Sequence, residues 1–198
     1  VKLRPLVICL FVVLCSAFAN AQNIVIPQPP IIGARSYLII DGTTGAELAA
    51  LNPDERLAPA SLTKLMTAYA VFRALDAQQI TLDDLVVVSE KAWRTEGSRM
   101  FIEVGSRVTV QDLLLGMIVQ SGNDACIVLA EGLSGSEENM VDEMNEKAVE
   151  IGLVNSNFEN VTGWPHENHY MSLRDIAHLS KLIIKNYPEY YYLFALNE

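Results

Sequence analysis

A single β-hairpin precedes a chain that otherwise has helical patterns. Residues 36–40 and 46–51 are short β-rich runs, and residues 41–45 between them form a turn that contains glycine. A lone hairpin is marginally stable and exposes unpaired strand edges, so it needs further strands to pair with. The sequence after Ser121 supplies no convincing strand. We therefore predict that the remaining strands of its sheet follow Glu198.

Helix caps and apolar periodicity mark the rest of the chain. Thr109 and Ser172 are each followed three residues later by an aspartate, which is typical of a helix start. The first helix follows Pro59 and has an apolar face made of Leu62, Leu65, Met66, Tyr69 and Phe72. The predicted helices span residues 61–75, 109 to the loop at Ser121, 124–132, 137–151 and 172–185, and Pro188 ends the last of them.

The first twenty-one residues have the pattern of a secretory signal peptide. Lys2 and Arg4 form a basic start, residues 6–14 are apolar and uncharged, and Ala19-Asn20-Ala21 supplies a cleavage site. The apolar stretch is too short for a stable transmembrane helix. We therefore expect an exported protein, in the periplasm or on the outer face of the bacterial cytoplasmic membrane. Residues 22–34 follow as an extended, proline-containing segment.

The charge and the cysteine content of the sequence exclude some partners and some means of stabilisation. The formal net charge is −10, and it becomes −12 without Lys2 and Arg4, which argues against nucleic acid or anionic lipid as a general partner. Cys126 is the only cysteine after the leader, so no internal disulfide can hold the exported chain. Its stability must come from a packed core, in which we expect Cys126 to be a buried small hydrophobe.

Ser61 and Lys64 lie three residues apart at the start of the first predicted helix. This spacing places both side chains on one face of the helix, one turn apart. A lysine amine can accept the proton of a serine hydroxyl once burial or a second cation lowers the lysine pKa. The helix N-terminus also favours negative charge that develops there. Because the spacing alone is common, it indicates a nucleophile and its base only if other parts of such a site are present.

A loop with Ser121, Gly122 and Asn123 joins two predicted helices sixty residues after Ser61. On such a loop Ser121 could relay a proton, and Asn123 could hydrogen-bond Lys64 or a substrate amide. The alternative is purely structural, because glycine and asparagine also suit the end of one helix and the start of the next. The loop by itself leaves both interpretations open.

Together the two motifs resemble those of the penicillin-recognising serine acyl transferases. The resemblance covers about residues 33–198 and includes residues 97–101 and the helix start at Ser172. Two flanking stretches are similar to the low-molecular-mass D-alanyl-D-alanine carboxypeptidases: Pro59-Ala60-Ser61-Leu62-Thr63-Lys64-Leu65-Met66-Thr67 and Gln120-Ser121-Gly122-Asn123-Asp124-Ala125-Cys126.

The resemblance implies an α+β fold, the penicillin-binding, β-lactamase-like transpeptidase fold, in which an antiparallel sheet is flanked by helices and whose C-terminal strands this chain lacks. It also implies a reaction. Ser61 would attack the carbonyl between the terminal D-alanines of a peptidoglycan stem peptide, with Lys64 as its base and its own N–H as an oxyanion donor. Ser121 would relay the proton to the leaving D-alanine, and Asn123 would bind the substrate. The implied partners are peptides ending in D-Ala-D-Ala and β-lactam antibiotics, and the family needs no cofactor and no metal.

Two departures from the family pattern limit this expectation. The third motif, Lys-Thr-Gly, which would bind the substrate carboxylate, does not occur in the sequence. In the family it lies downstream of the position of Glu198, so we expect residues 35–198 to be a partial catalytic domain that is inactive alone. Membrane association would need a C-terminal segment absent here. Relatives commonly have His-Gly-Leu where this chain has Thr162-Gly163-Trp164, which leaves the role of that loop open.

Other functions agree less well with the sequence. A class A β-lactamase also begins with Ser-x-x-Lys, but its Glu-x-x-x-Asn pattern is absent from the sequence. A zinc site or a Ser-His-Asp triad would have to use His166, His169 or His178, and the spacing of these histidines is poor for a metal. A non-catalytic peptidoglycan-binding regulator is disfavoured because Ser61, Lys64, Ser121 and Asn123 are all present.

Overall fold

The computed structural model describes residues 32–196. The predicted signal peptide, with Cys9 and Cys15, and most of the extended segment after it lie outside the described residues. Within residues 32–196, no helix combines the length and the apolar character that a membrane crossing requires.

The predicted hairpin is confirmed. Strands β1 (Tyr37–Ile40) and β2 (Glu47–Leu51) pair antiparallel. Asp41 builds the turn between them, because its Oδ1 accepts hydrogen bonds from the backbone N–H groups of Thr43 and Thr44. A second antiparallel pair, β3 (Leu85–Val87) and β4 (Arg107–Thr109), was not predicted. Strands of three residues are too short to show an alternating pattern in the sequence.

The helical prediction is confirmed, with changes at the ends of the segments. Thr109 and Ser172 cap their helices as expected, since their hydroxyl oxygens accept the N–H of Asp112 and Asp175. In the described part of the chain the α-helices are α1 (Lys64–Asp76), α2 (Glu90–Arg94), α3 (Val110–Val119), α4 (Asn123–Ser134), α5 (Glu137–Glu150), α6 (Leu173–Asn186) and α7 (Pro188–Tyr191). Pro188, predicted to end a helix, also begins the short helix α7.

The first predicted helix begins differently from expectation. Residues Ala60–Thr63 form a 3₁₀ turn, and the α-helix starts only at Lys64. Met66, Tyr69 and Phe72 are buried as predicted, whereas Leu62 is 47% exposed and lies outside the core. A 3₁₀ turn has three residues per turn instead of 3.6, so the face inferred from α-helical periodicity does not extend back to Leu62.

Helix α4 is the centre of the core. Its residues 125–130 are all buried, and α4 packs against α1, α2, α3 and α5. Each buried aliphatic side chain of this kind contributes about 1.5–3 kcal/mol through removal of apolar surface from water. Because α4 begins at Asn123, the packing of α4 fixes the position of the Ser121 loop relative to α1.

Two links hold residues 155–175 against the first half of the chain. The first link is an isolated β-bridge that joins Leu57 to Met171, whereas a second bridge, between Asn157 and Tyr170, closes the segment on itself. Arg174 forms ion pairs with Asp54 and Glu47, which connect the start of α6 to the hairpin. These links place the loop around residues 159–164 beside the 3₁₀ turn that carries Ser61.

Candidate active site

Lys64 is the centre of a cluster of polar groups. Its side chain is buried, with the residue 6% exposed, while Ser61 is exposed at the surface of the same turn. Lys64 Nζ lies 3.4 Å from Ser61 Oγ and 2.8 Å from Asn123 Oδ1. A third partner is the backbone carbonyl of Thr162, also 2.8 Å from Nζ. The structure therefore brings Ser61, Lys64 and Asn123 together.

The surroundings of Lys64 favour its neutral amine. Burial lowers the pKa of Lys64 below its ordinary value. Two of the three partners are acceptors: the Thr162 carbonyl, and Asn123 Oδ1, whose orientation is set because Nδ2 donates to the carbonyl of Glu96 at 2.7 Å. A neutral amine can donate its two N–H groups to these acceptors, which leaves its lone pair for the Ser61 hydroxyl. The arrangement can thus accept a proton from Ser61.

Ser121 faces the same cleft. Together with Ser61 and Lys64 it lines a cavity of about 410 Å³, on whose wall Phe194 also lies. Among the described residues, the buried Oγ of Ser121 has no hydrogen-bond partner. Since a buried hydroxyl without a partner costs free energy, a group that enters the cleft and bonds it is favoured. The Ser121 loop also separates α3 from α4, so the structural interpretation of this loop holds as well.

Three of the five non-glycine residues with positive φ in the described part of the chain lie in segments next to this cleft. Ala60, Phe101 and Ser121 have φ angles of +48°, +61° and +56°, in the left-handed region that non-glycine residues rarely adopt. Each such residue costs on the order of 1–3 kcal/mol, which the surrounding contacts must offset. Ala60 directly precedes Ser61, so the turn that presents this hydroxyl is held in place by its neighbours.

Asp124 ties two loops of the site together, and the sequence prediction did not include it. The carboxylate is 1% exposed and accepts hydrogen bonds at 3.0 Å from the N–H groups of Met100 and Phe101. It also accepts the N–H of Ala125 at 2.9 Å. This contact explains why residues 97–101 accompany the Ser121 motif. The sequence did contain an indication of this role, because Asp124 directly follows Asn123 at a helix N-terminus, where a carboxylate is stabilised.

The loop with Thr162, Gly163 and Trp164, for which the sequence predicts no role, contacts the site directly. Asn160 shapes it, because Asn160 Oδ1 accepts the N–H groups of all three of these residues. The loop then offers the Thr162 carbonyl to Lys64, and Gly163 lies against the carbonyl of Ala60. The loop therefore binds Lys64 through a backbone carbonyl and not through a side chain.

Two of the histidines considered for a zinc site or a triad form hydrogen bonds outside the cluster around Lys64. His169 contacts Thr63 and Glu159, and His178 contacts the carbonyl of Ile151. Within residues 32–196, no cluster of three or more His, Cys, Asp and Glu side chains could hold a metal ion. Cys126 is buried, and burial raises the pKa of its thiol to about 12, which agrees with the predicted small hydrophobe.

Solved structures identify the class to which this fold and cleft belong. The D-alanyl-D-alanine carboxypeptidase DacD from Francisella tularensis matches with a TM-score of 0.82 and 39% identity, over 88% of this chain and 43% of that one. Penicillin-binding protein 5 from Haemophilus influenzae matches with a TM-score of 0.82 and 44% identity, over 84% and 49%. The fold is therefore that of the penicillin-binding D,D-peptidases, as predicted.

Sequence comparison gives the family. A family model described as D-alanyl-D-alanine carboxypeptidase, peptidase family S11, matches residues 23–197. The chain belongs to this family. The curated relative D-alanyl-D-alanine carboxypeptidase DacD from Escherichia coli (strain K12) is 44% identical over 189 residues, which are 92% of this chain and 48% of the relative. The chain thus spans about half the length of the curated relatives it matches.

Proposed function

We propose that this chain supplies the acyl-forming half of a serine D-alanyl-D-alanine carboxypeptidase. The observation that carries the proposal is the position of the buried Lys64 amine, which reaches Ser61 Oγ and has its other two hydrogen-bonding directions taken by Asn123 and the Thr162 carbonyl. Membership of the carboxypeptidase family supports the same reaction.

In the proposed acylation, the Ser61 hydroxyl gives its proton to the neutral Lys64 amine as its oxygen attacks the carbonyl between two D-alanines. The tetrahedral intermediate carries an oxyanion, for which the Ser61 N–H is one donor. As the intermediate collapses, the C–N bond breaks and the leaving D-alanine amine takes a proton from Lys64 through the Ser121 hydroxyl. Water then attacks the Ser61 ester, which releases the shortened peptide and restores the hydroxyl.

Asn123 has two roles in this proposal: it orients Lys64 and it binds the substrate. Its Oδ1 orients Lys64, and its Nδ2, which donates to the Glu96 carbonyl in this structure, would donate to a substrate amide carbonyl instead when the substrate is bound. The substrate carboxylate needs a cation that the described cleft does not provide beyond Lys64. We propose that a Lys-Thr-Gly strand after Glu198 supplies it, so that the full-length protein, and not residues 35–198 alone, is the active unit.

Labelling of the full-length protein with a fluorescent penicillin tests the acyl-enzyme. The strained lactam resembles the D-alanyl-D-alanine unit, so Ser61 should open it and keep the acyl group as an adduct that survives denaturation. Ser61→Ala should form no adduct. The matched control is Ser180→Ala, another serine whose hydroxyl contacts only the Ile176 carbonyl among the described hydrogen bonds and which should label like the wild type.

The other functions give different results in the same experiment. An adduct that survives Ser61→Ala would overturn the proposed nucleophile. Failure of the wild type to form an adduct, together with binding to isolated peptidoglycan, would indicate the non-catalytic regulator. Rapid release of hydrolysed penicillin would indicate a β-lactamase. Release of free D-alanine from a stem pentapeptide by the wild type would establish the carboxypeptidase reaction.

Export is part of the proposal, because the substrate lies outside the cytoplasmic membrane. The basic start, the short apolar run and the Ala19-Asn20-Ala21 site support cleavage after residue 21. N-terminal sequencing of the protein recovered from a periplasmic fraction should then begin at Gln22. An uncleaved protein that stays in the cytoplasmic fraction would contradict this expectation.

A further inference from the structure

The hydroxyl of Thr63 connects the motif that carries Ser61 and Lys64 to a buried imidazole. Thr63 is fully buried, and its Oγ1 lies 2.8 Å from Nε2 of His169. The contact is on the side of the turn away from solvent, whereas Ser61 is exposed. His169 is itself 3% exposed, and its ring packs edge-on against Phe158 with a centroid distance of 5.8 Å. Its position is therefore determined by the core.

The hydrogen bonds of His169 determine which ring nitrogen carries the proton. The backbone N–H of Glu159 donates to Nδ1 at 3.2 Å, so Nδ1 must be an acceptor. In a neutral imidazole the proton is then on Nε2, which donates to Thr63 Oγ1. A protonated ring would have no acceptor to offer Glu159. Burial favours the same neutral form, since it lowers the pKa of His169 below the ordinary value.

His169 thus joins the two backbone segments that position Lys64. One segment is the 3₁₀ turn Ala60–Thr63, which leads directly into Lys64. The other starts at Glu159 and continues to Thr162, whose carbonyl accepts a hydrogen bond from Lys64 Nζ. The distance between these segments sets the distance from Nζ to the Thr162 carbonyl. Changes of about 1 Å in such placements can cost a hundredfold in rate.

We propose that His169 is a positioning residue: its neutral ring, bonded to Thr63 and to the Glu159 N–H, keeps Lys64 in reach of both Ser61 and the Thr162 carbonyl. This inference rests on the proposed acyl-transfer function. The titratable groups that act on His169 are Glu159 and His166, both from its own loop. His169 touches neither substrate nor the reacting atoms.

Two substitutions of His169 by amide side chains, made in the full-length protein, test its bonds to Thr63 and to the Glu159 N–H separately. In His169→Gln the amide nitrogen can replace Nε2 and keep the donor to Thr63, whereas the acceptor for Glu159 is lost. In His169→Asn the amide oxygen can replace Nδ1 and keep the acceptor, whereas the donor to Thr63 is lost. Each variant removes one hydrogen bond, so their thermal midpoints should be similar and the comparison is matched.

The expected result is a difference in acylation that stability does not explain. Penicillin acylation should fall about tenfold or more in His169→Asn and stay within about threefold of wild type in His169→Gln. The rising limb of the acylation rate against pH should shift up by about one unit in the Asn variant only, because a displaced Lys64 gains water. Equal rates and equal pH profiles in the two variants would overturn the proposal.

A second pair of variants, at Thr63, distinguishes loss of the hydrogen bond from misfolding. Thr63→Val removes the acceptor at nearly constant volume and should reproduce the slow acylation of His169→Asn, whereas Thr63→Ser keeps the hydroxyl and should restore it. NMR titration of ¹³C-labelled lysine gives a readout without acylation: the pKa of Lys64 should rise in His169→Asn and Thr63→Val only. If the wild type forms no penicillin adduct, the acyl-enzyme is refuted, and this titration alone then supports or overturns the positioning role.

Discussion

Gly163 lies directly against the backbone carbonyl of Ala60, and a Cβ on Gly163 would overlap that oxygen. This contact joins the loop that offers the Thr162 carbonyl to the turn that presents Ser61. Gly163 also has a φ angle of +89°, where side chains are disfavoured. The position therefore demands glycine for two separate reasons, close approach and backbone conformation.

Gly163→Ala should disturb both segments. Pushing them apart lengthens the contact between Lys64 Nζ and the Thr162 carbonyl, so penicillin acylation should fall by about a factor of ten or more. We expect a loss of about 2–4 kcal/mol in the free energy of unfolding, from strain at positive φ plus the steric overlap. Urea unfolding and acylation kinetics of the full-length protein measure the two effects.

The matched control for this substitution is Gly152→Ala. Gly152 has a similar φ angle of +83°, but nothing lies within 4 Å of the Cβ that the substitution would add. It should cost only the backbone strain, about 1 kcal/mol, and leave acylation unchanged. Equal losses of stability and equal acylation in the two variants would show that the contact between Gly163 and Ala60 is unimportant.

Asn123→Asp should shift the pH dependence of acylation. Burial lowers the pKa of Lys64, so the acylation rate should rise with pH as the amine loses its proton, with a midpoint below the ordinary lysine value of 10.5. A carboxylate in place of Asn123 Oδ1, 2.8 Å from Nζ, would favour the ammonium form and raise the pKa of Lys64. The midpoint should move to higher pH, and the rate at pH 7 should fall by about tenfold or more.

A second asparagine supplies the comparison for this shift. Asn139→Asp introduces the same charge at the exposed start of α5, where it should leave the midpoint unchanged. Rate measurements with a chromogenic β-lactam between pH 5 and pH 10 provide the profiles. A midpoint that is the same in Asn123→Asp and the wild type would argue against Lys64 as the base.

The sequence was sufficient for those parts of the fold and site that have a local signal. Caps at Thr109 and Ser172 and the apolar periodicity of the following residues identify helices, because each is encoded within one or two turns. Ser61, Lys64, Ser121 and Asn123 were predicted as site residues from two compact motifs with specific flanks, and their catalytic roles stay a prediction. The structure adds their distances, which depend on how α1 and α4 pack.

What the sequence could not supply are contacts made by loops. Asp124 bonds residues 100 and 101, and Asn160 shapes the turn that ends at Trp164, through side-chain to backbone hydrogen bonds. Such bonds leave no periodic pattern, and those of Asp124 join residues 24 and 23 positions apart. The contact between His169 and Thr63 spans 106 residues and was missed for the same reason.

Asp124→Asn should destabilise the protein and release the loop at residues 97–101. The carboxylate of Asp124 accepts three backbone N–H groups, whereas an amide would turn its NH₂ group toward at least one of these donors. Leaving buried donors unsatisfied costs about 1–3 kcal/mol, so we expect a loss of this size in the free energy of unfolding. Asp142→Asn, on the exposed face of α5, makes the same chemical change and should cost less than about 0.5 kcal/mol.

Hydrogen exchange locates the effect of the Asp124 substitution. The amides of Met100 and Phe101 donate directly to this carboxylate, so their protection should fall more than that of the α4 core. A uniform loss of protection, or none, would contradict the assignment of Asp124 as the tie between the two loops.

The buried ring of His169 should make the folded state less stable in mild acid. Burial lowers the pKa of His169 in the folded protein, so below the ordinary histidine value of about 6.5 the unfolded chain binds more protons than the folded one. The free energy of unfolding should therefore fall as the pH drops below about 6.5, until the folded-state pKa is reached. The total loss is about 1.4 kcal/mol for each unit by which the pKa of His169 is lowered on folding. His169→Gln should flatten this part of the profile in urea unfolding at pH 4.5–7.5, and His178→Gln, which makes the same substitution at an exposed ring, is the matched control. A His169→Gln profile parallel to that of the wild type would show that His169 does not titrate abnormally.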